Sequence, residues 1–320
     1  WRISVSGGGP EAVMSGGENA YGPSLSRQGG RLAFAQQVSD TNIWRLRGPG
    51  FKGPSSSPAK FISSTQPDHA PQFSPDGKRI VFASSRSGSM EIWTCDSEGS
   101  NAVQLTSFGG PHVGSPRWSP DGQRIAFDST KEGPRDIYVI SAEGGAPRRL
   151  TTESSGDVRP SWSKDGRWIY FGSDRSAGWQ VWKAPAEGGP AVQVTRQGGR
   201  EALESPDGKF VYYTRLGVSG IWRVPVEGGE ETLVLNRGEQ GHWAVLHQGI
   251  VLLNRRATPG PAIEFFSFAT QQSARIAALP KEATTSIGPP GLAVSPDGRW
   301  ILYVQVDRLE SDIVLVENFR

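Results

Sequence analysis

Apolar and polar residues alternate along this chain in stretches of four or five, and Pro, Asp and Gly cut the stretches apart. One unit shows the pattern. Pro116-Arg117-Trp118-Ser119 alternates, Pro120-Asp121-Gly122 turns, and Arg124-Ile125-Ala126-Phe127 alternates again. After a polar loop comes Asp136-Ile137-Tyr138-Val139-Ile140, then Glu143-Gly144-Gly145, then Arg148-Arg149-Leu150-Thr151. A period of two residues is the signature of a half-buried strand. Pro presets φ at the turn's first corner, Asp bonds its own backbone, and Gly takes the left-handed position. The unit is predicted to be four short antiparallel strands in a meander.

The unit recurs. Ser-Pro-Asp-Gly stands at Ser74–Gly77, Ser119–Gly122, Ser205–Gly208 and Ser295–Gly298, with variants at Ser163–Gly166 and Ser26–Gly29 and a remnant at Gln248-Gly249. The Asp or Gln positions are 28, 76, 121, 165, 207, 248 and 297, so successive copies lie 48, 45, 44, 42, 41 and 49 residues apart. A four-stranded unit at a period in the forties predicts a β-propeller. Aromatics recur on the third strands (Trp44, Trp93, Tyr138, Trp182, Trp222, Phe266) and on the first strands (Phe73, Trp118, Trp162). Such rings fill the space between blades, which cannot bury their faces alone. Trp179 and Trp243 break the pattern and are expected to be exposed. Seven copies predict seven blades. The last third strand, Asp312–Phe319, has no fourth strand behind it, so Pro10–Ser15 is expected to supply one. The expected architecture is thus all-β: a seven-bladed β-propeller of four-stranded antiparallel blades, closed by N- and C-terminal strands, with Trp1–Val5 as an extra strand. Residues 1–320 read as one propeller domain, and a start at Trp1 without Met reads as a piece of a longer protein.

Composition narrows the function. Gly 41 and Pro 24 make about a fifth of 320 residues, as many short strands and turns require. Lys+Arg 34 against Asp+Glu 32 leaves +2, which gives no field for nucleic acid or a membrane surface. No apolar run approaches a bilayer-spanning length. A single cysteine, Cys95, excludes an internal disulfide and a cysteine zinc cage.

The Ser-Pro-Asp-Gly turns, Ile80-Val81-Phe82, Asp136-Ile137-Tyr138, Glu143-Gly144-Gly145 and Arg148-Arg149-Leu150-Thr151 resemble the PD40, or TolB-like, propeller repeat over essentially the whole chain. The resemblance implies fold and says little about function. It implies one of three settings: a protein-interaction propeller of the Tol system, the non-catalytic propeller of a prolyl-peptidase-like or tricorn-like enzyme, or the C-terminal propeller of a large bacterial winged-helix or Ser/Thr-kinase regulator. Asp40–Leu46 and Ser311–Arg320 resemble the last group. The Tol resemblance tilts the compartment toward the periplasm over the cytoplasm.

No Gly-x-Ser-x-Gly elbow and no strand–Gly-rich-loop–helix unit is present, so no catalytic residue and no cofactor is assigned. Each Asp-Gly turn carries one carboxylate, too few for a calcium loop. By the family's geometry, the fourth-to-first and second-to-third strand connections share the channel mouth, and variable loops on a rigid frame are where binding sits. The mouth would show Asn19, Asp68, His69, His112, Asp157, Arg159, Arg200, Glu201 and His242. Their mixed signs suit a protein or peptide segment, a zwitterion or a small polar ligand. The histidines raise a metal, but no residue matches a defined motif and none is assigned. Arg86, Arg175, Arg215, Arg255, Arg256 and Arg308 form either an anion-binding crown or ordinary ion pairs with nearby acids such as Glu91, Asp174 and Asp312. Two functions remain: a non-catalytic binding or sensor module of a larger bacterial regulator, or an enzyme part, either a metal-dependent lyase for acidic sugars or a peptidase gate.

Overall fold

The computed structural model describes residues 20–27, 30–51, 57–280 and 291–317. Every regular element among them is a β-strand. The chain divides into two compact units, residues 41–306 and the pair of segments 1–40 and 307–320.

The larger unit holds five four-stranded antiparallel sheets, each in chain order. They comprise Asp68–Phe73, Arg79–Ser84, Glu91–Asp96 and Val103–Gln104; Val113–Trp118, Arg124–Ser129, Asp136–Ser141 and Arg148–Arg149; Asp157–Trp162, Trp168–Ser176, Gly178–Pro185 and Val192–Gln193; Glu201–Glu204, Phe210–Arg215, Val218–Pro225 and Thr232–Leu235; and Trp243–Val245, Gly249–Asn254, Ala262–Ser267 and Ser273–Ala278. A sixth sheet contains Leu292–Val294, the strand entering at Trp300, the strand ending at Arg47, and Ala59–Ile62. The first strands of the six sheets neighbour one another in chain order, and Leu292–Val294 lies against Asp68–Phe73 as well as Trp243–Val245.

The count is therefore six sheets among the described residues, where seven separate blades were expected. The first and last repeat copies contribute to one sheet. Their second and third strands run on without a turn, as the single strands Arg31–Arg47 and Trp300–Glu317. Sequence gives the reason: 35–41 and 307–312 contain neither Gly nor Pro, whereas the corresponding loops elsewhere carry Gly88, Gly133, Gly178, Gly217 or Gly260. Pro10–Ser15 and Trp1–Val5 lie outside the described residues. In the smaller unit, Ala20–Leu25 pairs antiparallel with 32–36.

Alternation drives the packing. In Arg79–Ser84, Val81 and Ala83 join one core with Val113, Trp118 and Phe127 of the next sheet. Ile80 and Phe82 join another with Ile43, Leu302 and Val304. Each sheet thus buries both faces against neighbours. Cys95 lies in the second of these cores, and burial pushes its thiol up to about 12, far from reactive.

The repeated tetrapeptide closes on itself. Ser74 Oγ donates to Asp76 Oδ1 at 2.6 Å and accepts the Arg79 N–H at 2.9 Å, while Asp76 Oδ1 accepts the Lys78 N–H at 3.1 Å. Gly77 at φ +71° supplies the left-handed corner. The same Ser-to-Asp bond recurs at Ser119, Ser163, Ser205 and Ser295. These hydroxyls, followed by backbone N–H groups, hold Asp76, Asp121 and Asp207 below the ordinary carboxylate range and Asp165 at about 2. The Thr that follows the fourth strand is equally specific. Thr106 Oγ1 donates to Glu91 at 2.6 Å and accepts the Ile92 N–H at 2.9 Å, and Thr151 and Thr195 repeat this with Asp136 and Gln180.

Candidate functional site

The second-to-third strand loops and the starts of the first strands meet around one cavity of about 640 Å³ in the larger unit. Its wall includes His112, Arg135, Arg159, Arg200, Arg215, Arg255, Arg256, Glu239, Gln240 and His242. Four predicted site residues, His112, Arg159, Arg200 and His242, converge here. Arg215, Arg255 and Arg256 of the predicted arginine crown join them.

A bulge in the first strands aims these groups. The register slips between His69 and Gln72, between Gly114 and Arg117, and between Val158 and Ser161. Within each slip one residue is left-handed: Ala70 at φ 52°, Ser115 at 51° and Arg159 at 54°. Bulges re-aim side chains where pairing is interrupted. Arg200 is fixed differently. A Cβ on Gly172 would collide with the Arg200 backbone carbonyl, so Gly172 permits that close approach. The guanidinium of Arg200 lies 4.7 Å over Trp179 and donates to Gln240 Oε1 at 3.2 Å.

Behind the wall, Glu201 joins several sheets. It is 2% exposed, accepts the Gly241 N–H at 2.5 Å and the Trp243 Nε1–H at 3.2 Å, and lies 3.9 Å from Arg117 and 3.6 Å from Arg159. Asp128 is also fully buried. Burial works against its ionisation, but His112 at 3.5 Å, the charge of Arg135 and the Arg159 backbone N–H outweigh burial and hold it at about 2.

Other predicted residues are placed elsewhere. Asp68 and Asp157 are fully buried and bind Arg86 at 2.9 Å and Arg175 at 2.7 Å. Those arginines also donate through Nε to Ser84 and Ser173 and lie over Trp93 and Trp182. Five of the six crown arginines, all but Arg256, thus have a carboxylate partner, and Asp68 and Asp157 are not among the residues lining the cavity. Arg308 pairs with Glu310 in the smaller unit. Trp243, expected to be exposed, is buried at 2%, because its indole N–H serves Glu201. Asn19 lies outside the described residues. Arg135, Gln240, Asp128 and Arg117 were missed. Arg135 had a usable signal, since it precedes Asp136 in the same type of loop that supplied the other arginines. Among the described residues, no three His, Cys, Asp or Glu side chains gather as a metal site, and no helix is long and apolar enough to cross a membrane.

His69 is largely buried beside His112, and its Nδ1 has no hydrogen-bond partner. Burial first, and the charge of His112 second, hold its pKa at about 4 against 6.5. The unfolded chain therefore takes up this proton first as pH falls. Stability from neutral His69 is complete above about pH 6.5 and is lost as pH falls toward 4, about 2–3 kcal/mol in all. Denaturant unfolding of His69→Gln is expected to show a flatter stability profile across that window, and an unchanged slope would disprove the assignment. The turn carboxylates act in the window below it, from about pH 4 downward.

Residues 104–242 match the model of the TolB β-propeller domain, and residues 35–169 match that of the dipeptidyl peptidase IV N-terminal region. The Tol-Pal system protein TolB of Thioalkalivibrio sulfidiphilus is 34% identical over 87 residues, which cover 27% of this chain and 17% of that protein. Among solved structures, TolB from Acinetobacter baumannii superposes with a TM-score of 0.58 at 18% identity, covering 86% of this chain and 66% of that one. A Mycobacterium tuberculosis puromycin-hydrolyzing peptidase gives 0.53 at 15% identity, covering 85% of this chain and 47% of that one. The chain thus spans less than two thirds of these relatives, and the structural likenesses speak to fold alone. In its repeat, its sheet order and the family-model match over 104–242, this chain is similar to the TolB-like β-propellers.

Proposed function

We propose that this chain is a non-catalytic binding module of a larger bacterial protein, a regulator by its sequence resemblance, and that it takes its ligand at the cavity ringed by Arg159, Arg200 and Arg255. One observation carries the reading. Side chains from several sheets converge on a single cavity, and Arg159 and Arg200 are held by bonds behind the wall, so a ligand meets groups that need little ordering. The likeness to TolB supports a protein-interaction role and a periplasmic setting. A second reading, the propeller gate of a prolyl-peptidase-like enzyme, is favoured by the dipeptidyl peptidase match over 35–169.

Thermal-shift screening of residues 1–320 against peptides, sugars and small ions tests both. A binding module is expected to give saturable hits that disappear in Arg200→Gln. A gate is expected to give none. Hits that survive Arg200→Gln and are lost on altering the Asp-Gly turns would move the site to the opposite face.

A further inference from the structure

The structure segregates the charges that looked mixed in sequence. Asp68, Asp157 and Glu201 are buried in ion pairs. The cavity wall keeps six arginines and one carboxylate, Glu239. Arg159, Arg215 and Arg255 stand 3.6, 3.4 and 3.5 Å from Glu201, Glu231 and Glu239. Arg135, Arg200 and Arg256 have no carboxylate within ion-pair reach among the described residues. The Nε of Arg200 and the Nε2 of Gln240 are buried without a hydrogen-bond acceptor. Burial, and then the positive charges of Arg159 and Arg135, depress the Arg200 pKa, so like charges are crowded here at a cost. At the rim, Leu216 and Val218 are 51% and 53% exposed and offer apolar contact beside the cationic wall.

Resting on the reading of this cavity as a binding site, we infer that its ligand is a small molecule with two or more oxyanion groups, carboxylates or phosphates, held by Arg135, Arg200 and Arg256. A planar guanidinium meets either group with two parallel N–H donors. Three arginines without carboxylates call for more than one negative charge. A bound anion also supplies the acceptors that Arg200 Nε and Gln240 Nε2 lack. The volume of about 640 Å³ falls within the range of small-molecule pockets and leaves room for a carbon skeleton against Leu216 and Val218.

Isothermal titration of residues 1–320 with citrate and with pyrophosphate at low salt tests this, the two probes separating carboxylate from phosphate chemistry. At least one is expected to bind saturably and to weaken as salt rises. Arg135→Gln and Arg200→Gln are each expected to weaken it about tenfold, the loss of one charge-assisted contact. Arg308→Gln, which removes the same charge from the smaller unit, is expected to leave binding unchanged. Tighter binding of an acidic peptide than of either probe would overturn the small-molecule assignment. If neither anion binds while a neutral or cationic hit is lost in Arg200→Gln, the anion inference fails and the binding-site reading stands. Anion binding equal in all variants overturns both.

Discussion

Asp157→Ala is expected to lower the unfolding free energy by about 3–5 kcal/mol, the cost of leaving a buried charge without its partner. Asp157 is fully buried and binds Arg175 Nη2 at 2.7 Å. Arg175 is only 16% exposed, and its remaining contacts are the Ser173 hydroxyl and the faces of Phe171 and Trp182. Removing the carboxylate strands a guanidinium that water reaches poorly. Replacing both residues, as Asp157→Ala with Arg175→Leu, is expected to recover more than about 1 kcal/mol of the loss, because the stranded charge goes too. Denaturant midpoints of the single and double variants check this. A double variant as damaged as the sum of its singles would show that the two groups do not act as a pair.

Trp222→Ala is the second large effect, at about 3–5 kcal/mol for a buried large aromatic. Trp222 is 8% exposed and packs with Tyr170, Val181, Ala202 and Tyr213 from two adjoining sheets, with Arg215 stacked 4.4 Å from its ring. Its counterparts Trp93 and Trp182 are only partly buried at their cores. They are expected to cost less, in the order set by burial. Calorimetric or denaturant unfolding of the three variants gives that order. A loss under about 1 kcal/mol at Trp222 would return these rings to the surface.

The strands, the turns and the pairing of sheet faces were legible because each rests on local chemistry: alternation, Pro-Asp-Gly corners and a recurring aromatic. The sheet count was not. It depended on whether 35–41 and 307–312 bend, and repeat spacing carries no information about that beyond the missing Gly and Pro. The site was half legible. Loop position identified His112, Arg159, Arg200 and His242. It also offered Asp68 and Asp157, whose carboxylates are turned inward by arginines eighteen residues downstream. The family resemblance implies which loops share a mouth. It does not show which charges have already been neutralised behind the wall, since Arg86 and Arg256 look alike until their partners are placed.

The Ser-to-Asp turn has an evolutionary consequence. Its Ser and Asp groups are satisfied by its own few residues, as at Ser74–Arg79, so the motif asks little of the neighbouring unit beyond such contacts as the Lys164 N–H donating to Glu204. A duplicated or deleted unit would carry most of its hairpin chemistry with it. The arginine cavity has the opposite character, because two of its wall residues lean on groups from other units: Arg159 on Glu201, Arg200 on Gln240. Copying is thus tolerated at one end of the strands, while the other end, once it holds a ligand, fixes the number and order of units that can be inherited.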